Sequence, residues 1–410
     1  MKTRIVRAAI AAAAAALVTL TQPAVAIAAP SSSTASSASS SSTMPSTDSR
    51  AATNAARAVA SYRALQRYLA VRDGSGLYRE RVPAAADDRT YSFEWPFSQV
   101  HVATLDLTGL PGRLGAGFRT DLAARAAGQQ RYWSTRGTTG VPGYASYPEE
   151  PFGAGGDFFY DDNEWVGLLD VQHYLMTRDR AALARAERVF TLIRSGWDTD
   201  TTHAAAGGVF WTQATWSVDR NTVSNMPGAE LGLRLYQLTG RRSYLDFSLR
   251  MYEWTNRNLL APNGLYFDHL NLVGTLQKTQ WSYNQGVPVG VNVLLYQITH
   301  DRTYLRRAES IARAAYTYFV TQGRLATQPA YFNSIFFKNL LLLESVTGGH
   351  IYRDAMAAYA GDVWRQHRDP ATGLFTFAAT AGPTEAIRQA AMIQIYAVLG
   401  WDSTRYHLLY

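Results

Sequence analysis

The sequence predicts an all-α protein: an (α/α)6 toroid, or barrel, of about twelve helices joined by turns that carry short β-like segments. Three observations predict this fold class. Pairs of helices repeat along the chain, helices that are apolar on nearly every face alternate with helices that have one apolar stripe, and glycine turns follow several of the striped helices. Six inner and six outer helices account for this alternation, and a right-handed α-solenoid is the structural alternative.

The repeat closes one helix, turns at a threonine and opens a second helix. Its clearest copies begin at Tyr174, Tyr236 and Tyr296, with the sequences YLMTRDRAALARAERVF, YQLTGRRSYLDFSLRMY and YQITHDRTYLRRAESIA. Looser copies begin at Leu105 and Glu344. Chain length alone would suggest about two domains, but a repeat along the chain predicts a single domain over residues 51–410. The turn threonines are Thr108, Thr177, Thr239, Thr299 and Thr347.

The two helices of a pair differ in where their apolar residues lie. In the helix predicted over 302–320, apolar side chains recur every three or four residues among charged ones, which is typical of an outer helix. The helix before it, GVPVGVNVLLYQI from Gly286, is apolar on nearly every face and must be enclosed by others. The predicted helices cover residues 54–72, 95–108, 117–128, 161–177, 181–196, 226–239, 242–260, 284–300, 302–320, 331–347, 350–367 and 383–399.

The segment before the toroid has sequence signals of its own. Residues 1–29 are predicted to be a secretory signal peptide, because three basic residues precede the apolar run Ala8–Leu20 and the small residues AVA follow it. That run is shorter than the roughly 20 residues that span a membrane. Residues 30–50 are predicted to be a Ser-rich disordered tether. We therefore predict a secreted protein without stable membrane insertion.

Composition excludes several classes of function. The chain has 410 residues, no cysteine and a formal charge of +7, so it can bury a large core without disulfides and has no thiol nucleophile. Its basic residues are spread among acidic ones, which argues against a nucleic-acid partner. The sequence has no GxSxG, HExxH or Walker motif. We expect a monomer that needs no metal or organic cofactor.

Polar and aromatic residues recur at the entrances to four inner helices, where a buried helix does not need them. The entrances are EWPFSQ from Glu94, FFYDDNEW from Phe158, RNTVSN from Arg220 and TQWSYNQG from Thr279. In a toroid these segments gather at one end and line a common cleft. Aromatic faces stack on the C–H side of a pyranose, and fixed amides hydrogen-bond its hydroxyls, so the cleft is suited to sugars.

The adjacent aspartates Asp161 and Asp162 are the strongest candidate for catalysis. Helix capping explains one of them but neither the second nor the aromatic residues around them. A carboxyl pair is what glycoside hydrolysis requires, with one group protonated as general acid while the other is ionised. Each negative charge raises the pKa of its neighbour, which favours that division. Together with Asp157 the pair could instead hold a cation, although no DxDxDG-type loop is present.

These motifs resemble glycoside hydrolase family 76, the endo-α-1,6-mannanase family. YDDNEW, GGVFW, RNTVSN and above all SYNQGVPVG match its signatures in order, and the resemblance runs from about Asn54 to the end of the chain. It implies an (α/α)6 barrel that cleaves α-1,6-mannosidic bonds in α-mannan or manno-oligosaccharides with retention. It further implies that Asp161 is the nucleophile and Asp162 the acid/base. The predicted substrate-binding residues are Trp95, Tyr160, Trp165, Trp211, Asn221, Asn225, Trp281, Tyr283, Asn284 and Gln285.

The chain departs from the family pattern at two places, and rival functions share its motifs. Met226 and Pro227 follow the asparagines, and Pro288 stands where the family commonly has an aromatic residue, so chain-length and branching preferences are open. One rival is a cell-wall transglycosylase that uses the same covalent intermediate. Another is a non-catalytic mannan-binding protein. A polysaccharide lyase on the same toroid would need basic residues, and Arg220 is the only cation near the entrances.

Overall fold

The computed structural model describes residues 47–377 and 382–410. The predicted signal peptide, residues 1–29, and most of the predicted tether lie outside the described residues. The first described helix begins at Thr47, so residues 47–50 are helical and do not belong to a tether. No helix in the described part of the chain is long and apolar enough to cross a membrane.

The described residues form thirteen α-helices, and the predicted all-α class is confirmed. Twelve correspond to the predicted helices, and the additional one is the short α3, between the helices predicted over 95–108 and 117–128. The helices are α1 (Thr47–Tyr68), α2 (Glu94–Thr108), α3 (Gly112–Ala116), α4 (Arg119–Gln129), α5 (Tyr160–Thr177), α6 (Arg180–Ser195), α7 (Met226–Thr239), α8 (Arg242–Asn258), α9 (Tyr283–Thr299), α10 (Arg302–Ala315), α11 (Ala330–Thr347), α12 (Ile351–Gln366) and α13 (Ala386–Leu399).

Six helices form a closed inner ring. Helix α2 contacts α5, and the contacts continue through α7, α9, α11 and α13, which returns to α2. The outer helices α4, α6, α8, α10 and α12 pack against α2, α5, α7, α9 and α11, and α1 packs against α13. A solenoid would leave its first and last helices apart. The closed ring therefore confirms the predicted (α/α)6 toroid.

Burial follows the predicted difference between inner and outer helices. In α10 the buried residues are Ala308, Ile311, Ala312 and Ala315, which lie on one stripe, and the next turn has π-helical geometry and buries Phe319. Helix α13 instead buries nearly every residue. An apolar surface all round is stable only inside the ring, since it is removed from water there on every side.

The repeated threonines are the last residues of the inner helices α2, α5, α7, α9 and α11. In the last four of these helices the hydroxyl donates to the carbonyl oxygen four residues earlier, at 2.7–3.0 Å. The residues that follow Thr177, Thr239 and Thr299 have left-handed backbone conformations, which end a helix sharply. The repeat in the sequence is thus a repeated helix terminus.

Short strands connect the helix pairs. Strand β1 (Arg81–Val82) pairs with β7 (Thr384–Glu385), and β2 (Trp133–Ser134) pairs with β3 (Gly143–Tyr144). Strands β4 (Asp219–Asn221), β5 (His269–Asn271) and β6 (Leu276–Gln277) form an antiparallel sheet in that order. The predicted glycine turns form isolated antiparallel bridges, among them Leu260 with Tyr266 and Arg368 with Phe375.

A buried ion pair lies toward the C-terminal ends of the inner helices. Lys338 Nζ on α11 is 2.7 Å from Asp106 Oδ2 on α2, and both side chains are almost fully buried. Gln172 Nε2 donates to the other carboxylate oxygen of Asp106 at 2.8 Å. Tyr410 is buried beside the pair, with its ring centroid 5.0 Å from Lys338 Nζ. The pair joins two inner helices across the interior of the ring.

Candidate active site

The predicted entrance segments meet at one end of the ring, because all six inner helices start there. The first turn of α5 is held by the segment that follows Gly207. Tyr160 N–H donates to the carbonyl of Trp211 at 2.9 Å, and Gln213 N–H donates to the carbonyl of Phe158 at 2.9 Å. These contacts place the indole of Trp211 beside the aspartate pair.

Neither aspartate caps α5. The residue before the helix is Phe159, which makes no capping hydrogen bond, and Asp161 and Asp162 lie inside the first turn. The expectation that one of them is the N-cap is therefore wrong. Free backbone N–H groups at a helix start still favour a negative charge nearby. The pair thus lies in the one part of a helix that favours an ionised carboxylate.

Asp161 has a buried and partly satisfied carboxyl group. Its Oδ2 accepts a hydrogen bond from Trp211 Nε1 at 3.2 Å, and its Oδ1 is buried without a hydrogen-bond partner. Burial raises the pKa of Asp161 to about 7, while the Trp211 N–H and the backbone N–H groups of the first turn act in the opposite direction. This carboxyl group therefore changes charge near neutral pH.

At Asp162 no hydrogen bond offsets the effect of burial on the pKa. Burial is the largest cause of its raised pKa, and the negative charges of Asp161 and Glu94 raise that pKa further. No donor of the kind that Trp211 provides for Asp161 lowers it. Of two adjacent carboxyls, Asp161 thus loses its proton first and Asp162 keeps one.

Glu94 is a third carboxyl group at this end of the ring, and sequence reasoning did not select it. It is the first residue of α2 and is fully buried. Its Oε1 accepts from Gln129 Nε2 at 2.5 Å, and its Oε2 has no hydrogen-bond partner. Burial raises its pKa to about 8. The available signal was an acidic residue directly before Trp95, at the start of a helix that is buried along nearly its whole length.

Three of the predicted aromatic residues form one wall of the site. Tyr283 stacks on Phe332 with ring centroids 3.8 Å apart, and Trp95 and Trp281 pack on the same ring at 6.1 and 5.4 Å. Phe332 lies in the first turn of α11, and Tyr331 beside it contacts Trp95. Sequence reasoning missed Phe332 and Tyr331 because the entrance to α11 was not among the four segments selected as helix entrances.

Amides and charged groups form a second wall. Asn284 Nδ2 donates to Asp268 Oδ1 at 3.2 Å, while Asn284 Oδ1 and Asn221 Oδ1 have no hydrogen-bond partner. His269 Nδ1 is 3.0 Å from Asp268 Oδ2 and 4.0 Å from Asp219 Oδ2. These acids raise the pKa of His269, although burial opposes them. Asp219, Asp268 and His269 were missed because they lie in or next to strands β4 and β5, whose pairing brings them together.

Four predicted binding residues do not reach the site. Tyr160 is buried against Gly196, and Trp165 has no exposed surface. Asn225 Oδ1 accepts from Val209 N–H at 2.8 Å, and Gln285 Oε1 accepts from Tyr266 N–H at 2.6 Å. These four residues were predicted to bind the substrate. In the structure Tyr160 and Trp165 are core residues, and the amides of Asn225 and Gln285 hold neighbouring loops in place. Tyr160 directly precedes Asp161 in α5, so its side chain points about 100° away from that aspartate around the helix axis.

The cation alternative finds no support in this geometry. Among residues 47–377 and 382–410, no group of three or more His, Asp or Glu side chains is arranged to hold a metal ion. Asp157 is exposed, unlike the buried Asp161. The three aspartates therefore do not form one site.

A closed ring of helix pairs, with a buried carboxyl pair beside aromatic and amide walls, defines a glycoside hydrolase of the (α/α)6 type. The comparison with protein families then identifies the family. The family model described as "Glycosyl hydrolase family 76" matches residues 140–356, more than half of the chain. The chain belongs to glycosyl hydrolase family 76, and the resemblance stated from its motifs is confirmed.

This chain matches only part of the length of its curated relatives. The mannan endo-1,6-alpha-mannosidase DCW1 of Candida glabrata is 30% identical over 142 residues, which cover 32% of this chain and 31% of that protein. The mannan endo-1,6-alpha-mannosidase DFG5 of Saccharomyces cerevisiae is 28% identical over 127 residues, covering 29% and 27%. The matched stretch thus spans about a third of these relatives.

Solved structures match nearly the whole toroid. The family 76 mannosidase Bt3792 from Bacteroides thetaiotaomicron has a TM-score of 0.75 and 25% identity, covering 85% of this chain and 98% of that one. An α-1,6-mannanase of Salegentibacter, an inactive variant with two consecutive aspartates changed to asparagine and bound to α-1,6-mannotriose, has a TM-score of 0.67 and 16% identity, covering 85% and 99%. At that identity the second likeness concerns the fold.

Proposed function

We propose that this protein hydrolyses α-1,6-mannosidic bonds within α-mannan, acting inside the chain and with retention of configuration. The observation that carries the proposal is the environment of Asp161 and Asp162. The two carboxyls are adjacent, yet Asp161 accepts the Trp211 N–H while Asp162 faces the charges of Asp161 and Glu94. Unequal proton affinities in one carboxyl pair are what a retaining glycosidase needs. The mannanase names of the relatives support the choice of sugar.

The first step forms a covalent intermediate. Ionised Asp161 attacks the anomeric carbon, and a bond forms between its carboxylate oxygen and that carbon while the glycosidic C–O bond breaks. Asp162 gives its proton to the leaving oxygen, so the departing sugar leaves as an alcohol. The lower pKa of Asp161 supports this assignment, because the nucleophile must be ionised while its neighbour is protonated.

The second step returns the enzyme to its starting state. Asp162, now ionised, takes a proton from water, and the water oxygen bonds to the anomeric carbon as the bond to Asp161 breaks. The sum is one water consumed for each bond cleaved, and no metal or organic cofactor takes part. Two inversions at one carbon give net retention.

Binding is proposed for the residues that face the site. Trp95, Trp211, Trp281 and Tyr283 supply apolar faces for stacking on pyranose rings. Asn284 and Asn221 have side-chain oxygens without hydrogen-bond partners, which sugar hydroxyls can satisfy. We further propose that residues 1–29 direct export, that residues 51–410 form one catalytic domain and that the protein acts as a monomer on extracellular mannan.

The direct test is incubation of purified residues 51–410 with unbranched α-1,6-mannan, with product sizes followed by chromatography and product anomers by NMR. We expect short manno-oligosaccharides that are first released as the α-anomer. Release of the β-anomer would contradict retention. Binding of the polymer without any release of sugar would support a mannan-binding protein. Transfer of mannose to an added acceptor in preference to water would support the transglycosylase.

The pH dependence of kcat/KM tests the assignment of the two protons. Asp161 must be ionised, so activity should fall as the pH drops below about 7. Asp162 must be protonated, so activity should also fall at high pH. Glu94→Gln removes a negative charge that raises the pKa of Asp162, and it should move the high-pH limb of the profile to lower pH.

The matched control for that profile is Glu164→Gln. Glu164 is another fully buried acid on α5, but the charges that raise the pKa of Asp162 are those of Asp161 and Glu94. The high-pH limb should therefore stay in place in Glu164→Gln. A Glu94→Gln profile that superimposes on that of the wild type would contradict the role given to Glu94.

A further inference from the structure

An apolar strip lies on the exposed surface beside the site. Six large hydrophobic side chains are exposed in the described part of the chain, and three of them belong to neighbouring segments: Trp216 at 47%, Val218 at 52% and Val273 at 83%. Trp216 and Val218 are two residues apart. The carbonyl of Val218 accepts from Leu272 N–H at 2.9 Å, which places Val273 next to them. We call these three residues the rim strip.

The rim strip is connected to the aspartate pair through packed rings. Trp216 packs edge-on against Trp211, with ring centroids 5.7 Å apart and an interplanar angle of 74°. Trp211 in turn donates its indole N–H to Asp161. Phe159, the residue before α5, packs against both indoles at 5.1 and 6.2 Å. Trp216 is therefore exposed, yet its ring is held in a fixed relation to the catalytic carboxyl.

We infer that the rim strip is a distal sugar-binding platform, on which Trp216 stacks against a mannose unit of a long α-mannan chain whose cleaved bond lies at Asp161. This inference rests on the proposed function and adds a subsite to it. An exposed indole presents an apolar face that matches the C–H side of a pyranose. A ring that is already held by Trp211 and Phe159 loses little freedom when a sugar stacks on it.

The surroundings of the rim strip favour a polysaccharide over a lipid surface or a protein. Asp219 directly follows Val218, His269 lies on β5, which pairs with β4, and Asp268 directly precedes that strand. Acidic groups beside an apolar strip repel anionic lipid headgroups. They also accept hydrogen bonds from sugar hydroxyls, so polar groups lie beside the apolar strip as a glycan requires. The strip is continuous with the proposed groove through Trp211.

The test compares Trp216→Ala with the wild type on α-1,6-manno-oligosaccharides of increasing length and on the polymer. We expect kcat/KM on the polymer to fall by about tenfold, mainly through KM, because the loss of one stacking contact weakens binding by about that factor. The loss should shrink as the substrate becomes too short to reach Trp216. Trp216→Phe should recover most of the activity on the polymer. Leu114→Ala, which removes an exposed apolar side chain on α3, should change nothing.

The outcomes separate this inference from the proposed function. If the wild type cleaves mannan and Trp216→Ala is equally impaired at every length, or at none, the platform is wrong while the hydrolase stands. If the wild type binds the polymer without cleaving it, the retention of the wild type and of Trp216→Ala on a mannan affinity gel is compared. Equal retention of the two proteins would contradict the platform. If the wild type neither binds nor cleaves α-mannan, both are wrong.

Discussion

Asparagine in place of Asp161 or of Asp162 is expected to remove nearly all hydrolysis of α-1,6-mannan. Asp161→Asn has no charged oxygen to attack the anomeric carbon, and Asp162→Asn has no proton to give to the leaving sugar. Each change should lower kcat/KM by about 10³-fold or more. The measurement is release of reducing sugar from the polymer. Near-wild-type activity of either variant would contradict the mechanism.

The two aspartates can be told apart by the leaving group. In a nitrophenyl mannoside the leaving group departs as a stable nitrophenolate anion, so the first step does not need the general acid. Asp162→Asn should therefore release an initial burst of nitrophenol, followed by slow turnover as water attack lacks its base. Asp161→Asn should show neither burst nor turnover. The reverse pattern would exchange the two roles.

The raised pKa of Asp161 also predicts how the stability of Asp161→Asn, relative to that of the wild type, changes with pH. Burial raises the pKa of Asp161 from 3.8 to about 7. The stability that goes with such a raised pKa is fully present below pH 3.8 and is lost as the pH rises through about 7. Asparagine at this position carries no charge at any pH. The melting temperature of Asp161→Asn, relative to that of the wild type, should therefore increase between pH 5 and pH 8.

The largest loss of stability is expected from Lys338→Met. This change leaves the Asp106 carboxyl, which is fully buried, with the amide of Gln172 as its hydrogen-bond donor. Breaking a buried pair from one side costs about 3–5 kcal/mol, because the remaining charge is left uncompensated. Urea unfolding of the two proteins measures the difference. A loss no larger than that of a surface change would show that the ion pair does not stabilise the fold.

Two further variants serve as controls for the stability loss of Lys338→Met. The double variant Lys338→Met with Asp106→Leu removes both charges, and it should recover most of the lost stability because no buried charge remains. Arg242→Ala breaks an exposed ion pair with Asp246, whose partners are 73% and 57% exposed. It should have little effect, since solvent screens that pair. Failure of the double variant to recover would indicate that the damage comes from packing.

The chemistry of the site was predictable only in part, and Glu94 and Phe332 show why. Both lie in the first turn of an inner helix, as Asp161 does, but neither belongs to one of the family signatures. Glu94 acts on Asp162 because ring closure brings the start of α2 near the start of α5. Trp165 is the opposite case, a residue that was predicted to bind the substrate but does not face the site. It stands four residues after Asp161 within the motif, yet it is turned into the core.

The sequence alone predicted the helix pairs of a toroid and the aspartate pair, while closure of the ring excluded the solenoid. Helical periodicity, apolar helices and a repeated terminal threonine are local properties, and they persist in the fold because an all-apolar helix must be enclosed by others. The adjacency of Asp161 and Asp162 is likewise a covalent fact. Which side chains face the site, and why the two carboxyls differ in pKa, follow from the tertiary structure. Those properties depend on burial and on partners such as Trp211 and Glu94, which lie far away along the chain and come close only when the ring is closed.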